Sequence, residues 1–227
     1  MIFDLHIHTV NGSSDSSLTP DVLLEKSKNI GLTGVCLTEH SANLNISKVI
    51  NDFEKSGITL LRGLEVSTDM GHILVFGLYS YVSGMHKIKN LRKIVDDVGG
   101  IMISAHPFRN LFSLPNNSKN FLYPDKSKYP LQPIDAIHHP IFNIVDEVEI
   151  LNGANTTEEN NFAIELAKLK GFIGTGGSDA HSFHGVAKYV TYFENDIYNE
   201  KDLICAIKNK KFKAGTLNCK SGFNDFK

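Results

Sequence analysis

The chain is short of the residues that staple small domains. In 227 residues it has three cysteines, Cys36, Cys205 and Cys219, odd in number, widely spaced and outside any Cys-x-x-Cys pattern. That argues against a disulfide framework and fits a reducing compartment. Cys36 lies in the apolar run GVCLTEH and reads as a small core residue rather than a nucleophile. Positive charge is not in excess either: 23 Lys and Arg face 25 Asp and Glu, a formal net charge of −2. This is not the balance of a protein that binds nucleic acid through bulk charge. No apolar run is long enough to cross a bilayer. The opening MIFDLHIHT lacks the basic region and apolar stretch of a secretory signal, so a cytoplasmic protein with no membrane partner is expected. Gly-x-Gly-x-x-Gly, Gly-x-Ser-x-Gly and Cys–His pairing motifs are missing, which removes the dinucleotide fold and the common covalent hydrolases.

What is present is a globular composition, 41% hydrophobic and 21% charged, in a length that fits one domain over residues 1–227. Short apolar runs with β-branched content predict strands over 3–8, 34–40, 59–67, 72–78, 101–106, 147–152 and 172–179. Helical patterns fall at 20–29, opened by Thr19-Pro20 and ended by Gly31, and at 47–55, 85–98, 158–170 and 200–209. Alternation of strand and helix predicts an α/β fold with a mainly parallel sheet, closed as a barrel. The segment 107–134, rich in Asn, Pro, Ser and Lys, is long enough to be a lid or binding loop.

Ionisable residues sit at the ends of these strands, and in an α/β barrel such ends converge on one face. His6 and His8 are two apart on a strand and share a side, with Asp4 on the same side placed to orient an imidazole. Asp15 follows in GSSDSS, where alone it reads as a turn residue. His40, Glu65, His72, His106, Asp179 and His181 follow at later strand ends, with Gly176 and Gly177 allowing close backbone approach. Imidazoles mixed with carboxylates suit Zn, Mn or Fe better than Ca or Mg alone.

With DLHIHT, TEH, LEVS, HILVFG, SAHP and GSDAH in this order, the chain resembles the PHP (polymerase and histidinol phosphatase) family over nearly its whole length. The resemblance implies a distorted (β/α)7 TIM-like barrel with two or three divalent metal ions. It implies that His6, His8, Glu65 and Asp179 hold one metal, that Glu65 bridges to a second held by His72 and His106, and that Asp15, His40 and His181 hold a third. Many relatives carry His where this chain has Asp15. The implied activity is metal-dependent phosphoesterase chemistry on a small phosphorylated substrate or short oligonucleotide, by a metal-activated water. Histidinol-phosphate hydrolysis, or a non-catalytic RNA-associated subunit, are the alternatives.

Among residues outside the ligand set, Arg109 follows His106-Pro107 by two positions and is one of three arginines, a candidate phosphate clamp. His184, three beyond His181, is a candidate general acid. His138, His139 and Asn152 are weaker candidates for substrate contact. The basic run Lys208, Lys210, Lys211 and Lys213 reads as a solvated helix end. Nothing in the sequence indicates an oligomeric state.

Overall fold

The architecture follows from how each helix is started and stopped. A computed structural model describes residues 1–41, 46–112, 119–218 and 222–226; Cys219 lies outside the described residues. Helix α1 (Pro20–Ile30) opens with the Thr19 hydroxyl accepting the Val22 N–H and closes at Gly31 in the left-handed region, φ 80°. The best-capped helix, α5 (Thr157–Lys170), has a full capping box: Thr156 accepts from Glu159 N–H and Glu159 accepts from Thr156 N–H. The others are α2 (Ser47–Lys55), α3 (Ile88–Asp97), the single turn α4 (Pro133–Ala136) and α6 (Glu200–Lys208). Helix α3 begins at 88 rather than 85, where the Asp69 carboxylate takes the Ile88 N–H at 2.9 Å.

The strands are β1 (Ile2–Ile7), β2 (Gly34–Glu39), β3 (Thr59–Thr68), β4 (Gly71–Phe76), β5 (Ile101–Ser104), β6 (Glu147–Asn152), β7 (Thr175–Gly177), β8 (Val190–Phe193), β9 (Phe212–Asn218) and β10 (Gly222–Asp225). They form one sheet in the order β10-β9-β8-β1-β2-β3-β4-β5-β6-β7. The expected mainly parallel sheet is corrected here: the fold is α/β with a mixed sheet curled into a half-barrel. The pairs β1–β2, β2–β3, β5–β6 and β6–β7 are parallel, while β3–β4, β4–β5 and β1–β8 are antiparallel. The cause is local. Only Asp69 and Met70 separate β3 from β4, too few residues for a crossover, so the chain must reverse. The strands β8 to β10, unforeseen in the sequence, extend the antiparallel end.

The expected strand over 172–179 shortens to Thr175–Gly177, because Gly174 (φ 85°) and Asp179 (φ 53°) leave the extended region. Beyond it the chain curls back onto β1: Asp179 N–H donates to His6 O at 2.7 Å and His8 N–H to Ala180 O at 3.0 Å. Closeness here demands glycine, since a Cβ on Gly177 would lie 2.6 Å from His6 Cβ.

Three apolar clusters support this curl. One packs Phe162, Ala163 and Leu166 of α5 with Val148 and Val75. Another packs Leu203 and Ala206 of α6 against Phe3, Leu74 and Phe76. A third joins Leu23 and Phe53 to Ile7, Leu37 and Leu60. Full burial of a Leu, Ile, Val or Phe side chain contributes roughly 1.5–3 kcal/mol. Cys36 is buried in the second cluster, and burial holds its thiol well above the usual pKa. The lysine run is tied to helix ends: Lys208 Nζ donates to Gly99 O at 3.0 Å and Lys210 Nζ to Gly171 O at 3.1 Å, just beyond α3 and α5. Among the described residues no helix is long and apolar enough to cross a membrane.

Candidate metal centre

Hydrogen-bond accounting around the first two histidines shows what their free atoms face. His6 Nδ1 lies 3.0 Å from Glu149 Oε1, and since a carboxylate accepts, the proton sits on Nδ1. His8 Nδ1 lies 3.0 Å from Ser13 Oγ. The Ser13 hydroxyl donates to Glu39 Oε2 at 2.7 Å, so it accepts from His8. In the neutral rings both Nε2 atoms are therefore left with lone pairs, and they face each other at 3.1 Å. Glu65 Oε2 stands 3.5 and 3.2 Å from them, Asp179 Oδ1 3.5 and 3.3 Å. Asp179 Oδ1 is buried with no hydrogen-bond partner. One shared proton relieves a single contact among these four acceptors; a cation relieves all of them. The residues thus fit a metal ion.

Two further groups flank this one. Glu65 Oε1 lies 2.8 Å from His72 Nδ1 and 2.9 Å from His106 Nε2. His8, His40 and His181 form the other, the two outer rings each stacked 4.4 Å from His8. His181 Nδ1 donates to Asp179 O at 3.0 Å, which leaves its Nε2 free and 3.3 Å from Asp15 Oδ2. Asp15, 59% exposed at its side chain, is also 3.7 Å from His40 Nε2 and lies on the rim. All nine candidate ligands are thus brought together. His72 arrives by an unexpected route: it starts β4, and because β4 runs antiparallel its beginning lies beside the end of β3, in register with Ser67.

Two ligand positions have left-handed backbone without being glycine, His106 (φ 29°) and Asp179 (φ 53°). Such conformations persist only where neighbours hold them. His106 N–H is held by Glu149 Oε2 at 2.9 Å, Asp179 N–H by His6 O.

The charges are strongly coupled. Burial opposes a charge on His6, but Asp179, Glu149 and Glu65 outweigh it and raise its pKa well above the ordinary value. Burial likewise opposes ionisation of Glu65 and Asp179, yet His6 and its neighbours hold both carboxyls well below theirs. For His40 and His106 burial prevails, and both are lowered.

Asp4 is a correction. It does not orient an imidazole; Oδ1 accepts from Ser178 N–H and Oδ2 from Ala187 N–H, both at 2.9 Å, clamping the loop beyond β7. Burial raises its pKa to about 6 against those hydrogen bonds. The orienting role falls to Glu149, which the sequence reading passed over. Its signal was a carboxylate inside the otherwise apolar stretch of EVEILN. Glu39 was also missed: buried, it accepts from Thr9 N–H at 3.0 Å and from Ser13, fixing the turn after His8.

Arg109 is drawn into the centre. Nη2 donates to Asp179 Oδ2 and, at 2.6 Å, to Asn152 Oδ1, while Nε donates to Asn155 Oδ1 at 3.1 Å. Asn152 in turn donates to Glu149 Oε2 at 2.9 Å. A continuous polar network thus runs from His6 through Glu149, Asn152 and Arg109 to Asp179. His184 is exposed with its ring edge-on to Phe183, and none of its described contacts reaches the cluster. His139 caps the turn Pro140–Asn143, Nδ1 accepting from Ile141 N–H at 3.3 Å.

A family model described as PHP domain matches residues 4–135, and one described as PHP-associated matches residues 157–212. No curated protein matches the chain. Among solved structures, the chain is similar to PsfC from Pseudomonas syringae, at 17% identity and a TM-score of 0.62 over 94% of this chain and 90% of that one. It is also similar to a two-domain protein from Bacteroides vulgatus containing a predicted PHP-like metal-dependent phosphoesterase, at 19% identity and a TM-score of 0.65. That match covers 95% of this chain but 64% of the other. An amidohydrolase from Chromobacterium violaceum, solved with sulfate and no metal, gives 15% identity and a TM-score of 0.53 over 79% and 87% of the two chains. At these identities the likeness is one of fold.

Proposed function

Because the chain belongs to the PHP domain family, we propose that it is a metal-dependent phosphoesterase that hydrolyses a small phosphomonoester or a short nucleotide phosphodiester. One observation carries the reading: the convergence of His6 Nε2, His8 Nε2, Glu65 Oε2 and Asp179 Oδ1, four acceptor atoms that a single proton does not satisfy together. These four would hold a first ion, and Glu65 with His72 and His106 a second. A third would take His8, His40 and His181, with Asp15 beside it. The mixed imidazole and carboxylate donors favour Zn, Mn or Fe. When bound, such ions supply hydroxide from water near neutral pH and neutralise phosphate charge.

The chain's own residues do the positioning. Glu149 and Ser13 fix which nitrogen of His6 and His8 carries the proton. Arg109 holds Asp179 by Nη2 while its side chain stays 22% exposed, which leaves the guanidinium at the mouth as a clamp for a phosphate oxygen. His184 is the candidate proton donor to the leaving oxygen. His184→Ala would then slow esters of alcohols while sparing p-nitrophenyl phosphate, whose leaving group needs no proton.

The test is a panel of nucleoside monophosphates, 3′,5′-bisphosphates, histidinol phosphate and short RNA, run with Mn and with Zn. Wild-type protein should hydrolyse at least one class and His8→Ala none. A fully active His8→Ala variant, or tight RNA binding with no hydrolysis anywhere on the panel, overturns the reading.

A further inference from the structure

The rim of the centre carries an aromatic ring that phosphate chemistry does not require. Phe121, in the described part of the 107–134 segment, lies with its ring 4.6 Å from that of His72 and 17° from parallel. Stacked on the imidazole, the residue still stays 55% exposed. Its placement is built by its neighbours. Asn120 is 1% exposed and its side-chain amide is engaged at both ends. Its Nδ2 donates to Pro107 O and Arg109 O, both at 2.8 Å, and its Oδ1 accepts from Tyr123 N–H at 2.7 Å. Its backbone N–H donates to the Tyr129 hydroxyl at 3.1 Å. On the other side Leu122 is buried in the apolar cluster that also holds Val66 and Ile73. The chain therefore anchors both neighbours inward and holds the larger apolar ring of Phe121 outward, over a candidate metal ligand.

We propose that Phe121 is a specificity-determining residue, a stacking platform for a planar ring in the organic part of the substrate. The protein then prefers phosphoesters bearing a nucleobase or a similar ring over open-chain phosphates. Every base has a π face, so such a platform selects planarity and not one base. The inference deepens the phosphoesterase reading at the same site and rests on it.

The chain has no tryptophan, so Phe121→Trp introduces a single fluorescent reporter. Adenosine 5′-monophosphate added to the metal-loaded variant should quench that fluorescence, and glycerol 3-phosphate should not. In kinetics, Phe121→Ala should lower the ratio of kcat/KM for adenosine 5′-monophosphate over that for glycerol 3-phosphate by roughly tenfold or more, the effect of one lost ring stack. Phe121→Tyr should restore the ratio. If Phe121→Ala slows both substrates equally, Phe121 only supports His72 and the proposal fails. It fails too if neither compound, or both alike, quench the reporter. Selective quenching together with no hydrolysis by the wild type of these compounds or of any on the substrate panel would keep the platform and sink the phosphoesterase reading.

Discussion

Removing Glu149 tests the link between hydrogen bonding and metal affinity most directly. Its two oxygens accept three N–H groups: His6 Nδ1 at 3.0 Å, His106 N at 2.9 Å and Asn152 Nδ2 at 2.9 Å. All three partners are donors. Glu149→Ala frees the His6 ring to turn or change tautomer and leaves the left-handed backbone at His106 unsupported. Outer partners of metal-bound histidines are worth about 10–100-fold in metal affinity, which is ~1.4–2.7 kcal/mol. Glu149→Gln preserves the volume, but its amide N–H₂ must face at least one of the three donors, so most of the loss should remain. Chelator-competition titration with Zn reads the effect. Melting measured with and without metal separates it from stability, because a buried carboxylate carries a desolvation cost that its removal relieves. The metal-loaded melting point should therefore fall by more than the metal-free one. Wild-type affinity in both variants would refute the argument that a fixed tautomer prepares this centre.

Two further outcomes follow from neighbouring groups. Asp4 has a folded pKa of about 6 against an ordinary value of 3.8, so its contribution to stability is full below about 4 and is lost as pH rises through 6. Compared with Asp4→Asn, metal-free wild-type protein should lose on the order of 2–3 kcal/mol between pH 4 and pH 7 in denaturant melts; parallel pH profiles of the two proteins would contradict this. Gly177→Ala would place a methyl 2.6 Å from His6 Cβ and 2.9 Å from Glu149 Oε1. It should cost about 1–3 kcal/mol of stability by overpacking and weaken Zn binding, and an unchanged titration would show that β7 shifts without disturbing His6.

The candidate ligands were legible in the sequence because metal chemistry draws on few residue types and because strand ends are marked by apolar runs that stop at a His or Asp. The order DLHIHT, TEH, LEVS, SAHP, GSDAH needs no knowledge of strand direction, and so it survived the error about the sheet. Strand direction itself was not legible: it depended on the two residues between β3 and β4, which carry no helix signal and also no turn motif. The strands β8 to β10 were hidden because Val190–Phe193 is four residues long and Phe212–Asn218 follows directly on lysines. Glu149 and Glu39 were missed because a buried carboxylate announces itself only when its partners are known, and those partners come from β1, the turn after His8 and the loop beyond β5. Arg109 stood out by its nearness to His106, but its bonds to Asn152, Asn155 and Asp179 span 43 to 70 positions along the chain.

The curl of β7 onto β1 has a consequence for biosynthesis. His6 and His8 emerge first, while Asp179 meets them only across a separation of more than 170 positions, through Asp179 N–H to His6 O. A nascent chain that has not yet extended past β7 lacks the fourth donor and the backbone clasp that seats it. Contacts so distant in sequence form late, since the intervening loop entropy must be overcome first. An ion held by these four donors would therefore be captured late in folding, as a latch on strands already brought together rather than as a nucleus for pairing them.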